Sequence, residues 1–245
     1  MSQLAHTHPR TATEIIDTSF RFYREHFGDL LVLCALLLVP PLLIAAVTPQ
    51  PIQFVVQLVG NLMFLVCQGA IAVLVAAALE QDRALSAGEV LRALGDRAGS
   101  VIIVSIMAGI LIMIGTLLLV IPGILIAVWT VVATPVAAIE GLKNSAALGR
   151  SRDLARGQFW HILGTMFLSW IIVVGLVLGG ALVLGLVFGT VGMPSGLTQM
   201  LSGLLMVPLF PLIGVATSLL YYDLRVRSEG ADVEAMVNAL PQNAV

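Results

Sequence analysis

The charged residues of this 245-residue chain are confined to four short segments, and long apolar stretches separate those segments. All twelve Lys and Arg residues and all fourteen Asp and Glu residues lie within residues 10–29, 80–97, 140–156 and 223–234. The loops near residues 48–52, 121–123 and 190–198 contain no ionisable side chain. This pattern is typical of a chain that crosses an apolar phase repeatedly and returns its charges to one side.

The composition indicates that this phase is a lipid bilayer. Hydrophobic residues make up 59% of the chain, and the mean hydropathy of +1.03 is far above that of soluble domains. A bilayer core about 30 Å thick requires about 20 apolar residues per helix. Six segments meet this requirement, namely residues 29–47, 55–79, 100–120, 123–139, 160–189 and 197–222. The sequence therefore predicts an all-α integral membrane protein, a single membrane domain over residues 1–245 with six transmembrane helices.

The charge map also predicts the orientation. Short loops rich in Lys and Arg remain in the cytoplasm, and in the six-span scheme every Lys and Arg lies on one side. Both termini are therefore expected to be cytoplasmic. The first 28 residues are long, acidic and amphipathic, so no cleavable signal peptide is expected. Cys34 and Cys67 lie within predicted spans and are expected at different depths, which favours buried free thiols over a disulfide.

An internal repeat organises the chain. Residues 19–31 align without a gap on residues 151–163 and share Ser, Arg, Phe and the closing Leu, and a weaker copy covers residues 89–101. The sequence thus predicts three repeats of an amphipathic cytoplasmic helix followed by a transmembrane hairpin. The amphipathic segments are residues 12–27, 87–98 and 143–157, and a fourth follows the last span at residues 231–240. We expect them to lie on the inner membrane surface or to cap the bundle.

Prolines and glycines interrupt several spans. Pro40 and Pro41, Pro135, Pro208 and Pro211 lie inside spans but not at equivalent repeat positions. Broken helices can expose carbonyl groups at a transporter site, but kinks accommodated by neighbouring helices are the commoner case. Gly175 and Gly179 have the spacing of a close-packing face, within the bundle or between protomers. Pro122 and Gly123 predict a tight hairpin between the third and fourth spans, with Pro122 in the first turn of the fourth.

Catalytic and ion-coupling chemistry is poorly supported. Proton and ion relays use ionisable residues within the bilayer, and no predicted span has one in its interior. His6 and His8 have a metal-ligand spacing without a supporting carboxylate, while His26 and His161 have no evident nucleophile to activate. The basic residues are interleaved with acids, unlike a nucleic-acid-binding surface. We therefore expect no catalytic residue, no metal, no cofactor and no nucleic acid.

The helix at residues 143–157 is the strongest candidate surface. It carries Lys143, Arg150, Arg152 and Arg156 against one internal acid. Such cations can hold anionic lipid headgroups at about 1 kcal/mol each. Alternatively, they only enforce the topology of the loop.

Several motifs carry a resemblance to a known family. Ile-Pro-Gly-Ile at 121–124, Glu-Gly at 140–141, Ala-Leu-Gly-Arg-Ser at 147–151, Gly-Gln-Phe-Trp at 157–160 and Tyr-Tyr-Asp-Leu-Arg-Val-Arg at 221–227 are its main elements. Together they resemble the membrane domain of glycerophosphoryl diester phosphodiesterases, and residues 14–27 are similar to the opening of stand-alone bacterial members. The resemblance implies a bacterial inner-membrane protein. It also implies that hydrolysis belongs to a separate soluble barrel domain, which we expect to be absent from this chain.

The exit from the last span contains Tyr222, Asp223, Arg225 and Arg227, here called the exit cluster. Asp223 and Arg227 are four residues apart and can pair on a continuing helix. We predict that the exit cluster closes against the helix bearing Arg150 and Arg152 and forms a cytoplasmic pocket for an anionic phospholipid or a protein partner.

These features predict a non-enzymatic membrane protein, embedded in the lipid bilayer, that scaffolds or regulates partners or phospholipids at the cytoplasmic face. Protein partners or a homo-oligomer are compatible with this prediction. The alternative is a carrier or channel subunit for a neutral or lipidic molecule.

Overall fold

The computed structural model describes residues 10–81, 83, 85–191 and 195–239, and this part of the chain consists of helices and the short turns that join them, without strands. The helices are α1 (Ala12–Glu25), α2 (Phe27–Val47), α3 (Gln50–Glu80), α4 (Ala87–Leu118), α5 (Val120–Thr130), α6 (Ala133–Ile139), α7 (Asn144–Ala155), α8 (Phe159–Val191), α9 (Ser195–Met206) and α10 (Phe210–Ala239).

Five helical segments within the described residues are long and apolar enough to cross a membrane. They are α2, α3 from Pro51, α4, the α5–α6 pair and α8 as far as Val183. The prediction of an all-helical, multi-pass membrane protein is confirmed at this level. The expected sixth span, residues 197–222, is divided between α9 and α10, which are separated by turns at residues 207–209 around Pro208.

The first amphipathic segment forms the separate helix α1. Its N-cap Thr11 accepts a hydrogen bond from the backbone N–H of Glu14, and the Glu14 carboxylate accepts one from the N–H of Thr11 at 2.7 Å. Ile15 and Phe22 on the apolar face are buried, and α1 contacts α8 and α10. In this structure α1 therefore packs along the sides of α8 and α10, beside residues 169–173 and 212–216.

The other amphipathic segments differ in how they join their spans. Residues 87–98 are continuous with the expected third span in α4, whereas α7 is separate and ends before Gly157, whose φ of 73° suits glycine. In the repeat alignment Phe27 corresponds to Phe159, and these residues begin α2 and α8. The expected helix at 231–240 is part of α10 up to Ala239, and its side chains lie outside the described residues.

A single residue, Leu119, joins α4 to α5. A Cβ atom on Gly123 would lie 2.8 Å from the Cα of Thr116, so the two helices approach to a distance that only glycine permits. Pro122 lies in the first turn of α5. The expected tight hairpin is therefore present.

Proline also explains the break between α5 and α6. The helix is interrupted at Val131 and Val132, and a proline at position 135 removes the N–H that would bond to the carbonyl of Val131. Pro40 and Pro41, by contrast, remain inside the continuous helix α2. The same residue type therefore breaks one span and is tolerated in another.

Charged residues from all four segments are joined by hydrogen bonds at one end of the bundle, called here the charged face, and the tightest packing is in the half next to it. In α3, nearly all residues from Val66 to Ala77 are buried, whereas Phe54 and Val55 near the opposite end are exposed. The helix α4 shows the same trend: Val101 is fully buried, and Leu117 is exposed. Within the part of the chain that the structure describes, nothing lies within 4 Å of a Cβ built on Gly175 or Gly179 of α8.

Cys34 and Cys67 are both fully buried free thiols, as expected. The expectation that they lie at different depths is wrong, because their Sγ atoms are 3.2 Å apart. The antiparallel hairpin of α2 and α3 brings position 34 of the first helix level with position 67 of the second.

Candidate functional site

A buried carboxylate organises the charged face. Oδ1 of Asp223 accepts the backbone N–H of Arg10 at 2.6 Å, and its Oδ2 lies 2.8 Å from both Nε2 of His161 and Nε of Arg227. The Asp223 side chain is only 1% exposed. Arg227 also donates to the carbonyl of Arg10 at 2.6 Å and to Gln158 at 3.4 Å. The predicted Asp223–Arg227 pair is therefore present, and it joins α10 to α8 and to the chain before α1.

The two tyrosines next to Asp223 connect α10 to other charged segments. The hydroxyl of Tyr221 donates to Glu140 at 2.8 Å, and the hydroxyl of Tyr222 donates to Glu80 at 2.9 Å. Both rings are buried between helices. The tyrosines therefore anchor two carboxylates from different loops to the same helix.

Arg150 and Arg225 meet at a shared acid. Oε1 of Glu229 lies 2.9 Å from Nε of Arg225 and 3.5 Å from Nη2 of Arg150. Arg150 also lies 3.4 Å from Glu140, and Arg225 lies 3.9 Å from Glu80. Hydrogen bonding to Glu229 raises the pKa of Arg225 above its ordinary value. The helix α7 thus meets α10 at Glu229, the acid that Arg150 and Arg225 share.

The other two arginines of the candidate site lie elsewhere. The guanidinium carbon of Arg152 is 4.9 Å from the ring centroid of Trp129, a cation–π contact. Arg156 is 71% exposed and lies 3.5 Å from Asp153, on its own helix. Neither residue contacts the exit cluster. The candidate site residues predicted together from the sequence therefore do not all lie together in the structure.

A cavity of about 410 Å³, here called the charged pocket, opens beside Arg225. It is lined by Glu80, Tyr222, Arg225, Val226 and Glu229. One guanidinium therefore faces two carboxylates, and the pocket presents charges of both signs.

Sequence reasoning missed several partners in this region. His161 lies 62 positions from Asp223, and Glu80 lies 142 positions from Tyr222, so no local spacing relates them. The only signal for these contacts in the sequence was that all charged segments are predicted to lie on the same side of the membrane. That signal predicts which residues share a face but not which of them form pairs.

A second cavity, here called the outer cavity, lies in the half of the bundle away from the charged face. It has a volume of about 430 Å³. Its walls come from α2, α3, α9 and the start of α10, and its lining residues include Pro41, Gln57, Asn61, Phe64, Gly203 and Phe210.

In the described part of the chain, no group of three or more His, Cys, Asp or Glu residues is placed so that it could hold a metal ion. His6 and His8 lie outside the described residues.

Comparison with known proteins found no match: no protein-family model, no curated protein and no solved structure matches this chain. The resemblance to the membrane domain of glycerophosphoryl diester phosphodiesterases therefore stays a prediction that rests on the motifs themselves.

Proposed function

We propose that this chain is a non-enzymatic protein of the bacterial inner membrane that binds a phospholipid headgroup in the charged pocket and so anchors or scaffolds its surroundings. It crosses the membrane six times, with three repeats and both termini in the cytoplasm. The sixth crossing is made by α9 and α10 end to end. The observation that carries the proposal is the position of Arg225 between Glu80 and Glu229, in a cavity that opens at the charged face.

The ion pairs of the pocket are suited to exchange with a ligand. The side chains of Arg225 and Glu229 are 40% and 52% exposed, and exposed pairs of this kind contribute only about 0–1 kcal/mol. A headgroup can therefore replace Glu229 beside Arg225 at little cost. The Asp223 cluster, which is buried, keeps the helices in place during that exchange.

The signs of the charges favour a zwitterionic headgroup. A phosphate can pair with Arg225, as guanidinium groups bind phosphates well, and an ammonium group can pair with Glu80 or Glu229. An anionic headgroup, which we considered from sequence, would leave these two carboxylates without a counter-charge. Phosphatidylethanolamine therefore fits the pocket better than phosphatidylglycerol.

The test is native mass spectrometry of protein purified in detergent and supplied with phosphatidylethanolamine or phosphatidylglycerol. We expect the first lipid to be retained preferentially, and Arg225→Glu to abolish that preference. Arg92→Glu is the matched control, because Arg92 is exposed on the same face and does not line the pocket. Equal retention by wild type and Arg225→Glu would reject the proposal. If a protein co-purifies with wild type but not with Arg225→Glu, the charged pocket binds a protein partner and not a lipid.

A second function, a carrier or channel subunit for a neutral or lipidic molecule, is favoured by the outer cavity. Pro41 lies in its wall, and Pro208 lies in the adjoining break between α9 and α10. Uptake of a labelled neutral lipid into proteoliposomes, compared with empty liposomes, tests this function directly.

A further inference from the structure

We propose that the outer cavity binds a neutral lipid with a hydroxylated head, of the acylglycerol class, and that Gln57 and Asn61 hydrogen-bond to its head. This ligand site is separate from the charged pocket. The inference concerns binding and holds whether or not the chain transports its ligand.

The shape of the cavity follows from three features of the sequence. Gly203 lets α9 approach α2 closely, since a Cβ there would lie 2.5 Å from a methyl carbon of Leu42. Phe64 and Phe210 form an edge-to-face pair with centroids 5.2 Å apart and line the cavity on α3 and α10. The break between α9 and α10 is held by the hydroxyl of Tyr23, which donates to the carbonyl of Pro208 at 2.8 Å. These three contacts define the walls of the cavity.

The carboxamide side chains in the cavity need hydrogen-bond partners, which the head of a ligand can provide. Gln57 and Asn61 are four residues apart on α3, so they lie on one face of the helix, and both line the cavity. Neither side chain hydrogen-bonds to any other part of the described chain, whereas hydroxyl side chains of the apolar helices, such as that of Ser169, donate to a backbone carbonyl one turn away. An unsatisfied amide in an apolar phase is unfavourable. A ligand with hydroxyl and ester groups provides the missing partners.

The other residues that line the cavity disfavour a ligand with a charged headgroup. None of the described residues that line the cavity is ionisable, so a headgroup with a net or paired charge would be transferred into this half of the membrane without a counter-ion from them. A volume of about 430 Å³ is within the range of small-ligand sites, about 300–1,000 Å³. An ordinary phospholipid acyl chain would fill the apolar part but leave both carboxamides unpaired. A neutral lipid with a hydroxylated head satisfies both parts.

Photo-crosslinking tests this inference on the full-length protein in detergent micelles. The probe is a monoacylglycerol with a diazirine in its acyl chain, and the labelled peptides are identified by mass spectrometry. We expect labels on α2, α3 and α9 around the cavity, and competition by unlabelled monoolein but not by oleic acid or phosphatidylethanolamine.

Variants separate specific binding from general lipid contact. Gln57→Leu with Asn61→Leu should reduce labelling about tenfold, since each lost hydrogen bond weakens binding by roughly two- to tenfold. Gln53→Leu is the matched control, because Gln53 is on the same helix but does not line the cavity. Ala46→Trp, which fills the cavity from α2, should also remove the label.

Two results would overturn the inference. One is unchanged labelling of the Gln57→Leu, Asn61→Leu double variant, and the other is equal competition by phosphatidylethanolamine, which would make the cavity a site for ordinary lipid chains. Binding of phosphatidylethanolamine at the charged pocket is measured separately and should not change in these variants. Failure of one proposal can therefore be distinguished from failure of the other.

Discussion

Replacement of Asp223 by asparagine should destabilise the protein strongly, although the two side chains have the same size. The carboxylate accepts from Arg10 on one oxygen and faces His161 and Arg227 with the other. Asparagine has a single acceptor oxygen. In either orientation its NH₂ group faces another donor, either the N–H of Arg10 or the guanidinium of Arg227.

The expected magnitude follows from burial. Loss of one partner from a buried charge pair costs about 3–5 kcal/mol. Because the Arg227 side chain is 22% exposed, water compensates part of this loss, and we expect about 3 kcal/mol, the lower end of that range. For a chain of this length, 1 kcal/mol corresponds to about 2–4 °C, so the melting temperature should fall by about 6–12 °C.

Thermal unfolding in detergent, followed by circular dichroism, measures this effect. Glu229→Gln is the matched control: it also neutralises one carboxylate of α10, but Glu229 is 52% exposed, and an exposed pair contributes about 0–1 kcal/mol. If the melting temperatures of Asp223→Asn and Glu229→Gln were equal, the assignment of Asp223 as the central polar contact of the charged face would be wrong.

Three further predictions concern other parts of the fold. Gly123→Ala should destabilise by about 1–3 kcal/mol through overpacking of the α4–α5 hairpin, whereas Gly109→Ala, where nothing lies within 4 Å, should be neutral or stabilising in the same unfolding assay. At the start of α4 the Glu89 carboxylate accepts hydrogen bonds, first from the backbone N–H of the N-cap residue, and these bonds lower the pKa of Glu89 below its ordinary 4.5. The stability that these bonds contribute is present above pH 4.5 and is lost as the pH falls through the lowered pKa. The difference in melting temperature between wild type and Glu89→Gln should therefore shrink in acid. Cys34 and Cys67, both fully buried, should react with a maleimide only after denaturation, and mass spectrometry of the native protein would show a mass increase if they were accessible.

The helical membrane fold could be predicted because its signal is local. Twenty apolar residues without a charge form a helix in a membrane whatever they contact, so α2, α3 and α8 follow from composition alone. The α4–α5 hairpin could be predicted for the same reason, since Pro122 and Gly123 act on their own backbone. The division of the last span into α9 and α10 was not predicted, because a proline inside a span is compatible with either a kink or a break. Pro41 and Pro208 show both outcomes in one chain.

The candidate site could be predicted only in part, because its contacts join distant segments. The Asp223–Arg227 pair follows from helical spacing and was predicted correctly. The contact of Arg152 with Trp129 and the role of Glu229 as the shared acid depend on how the helices cross, which hydropathy does not encode. The same holds for the two cysteines, whose relative depth depends on the register of the hairpin.

The distribution of polar contacts has a consequence for how this molecule can move. Because lipid and side chains are similarly apolar, helices in a membrane gain little from the hydrophobic effect, and packing and hydrogen bonds hold them together. The ion pairs described here are all at the charged face, and the core is densest in the same half. The opposite half, with the outer cavity, depends on contacts such as Gly203 against Leu42. We therefore expect motion linked to a ligand to occur in the outer half, with Tyr23 at Pro208 as its contact to the charged half. Hydrogen exchange should then be faster in α9 than in the part of α10 that carries Asp223.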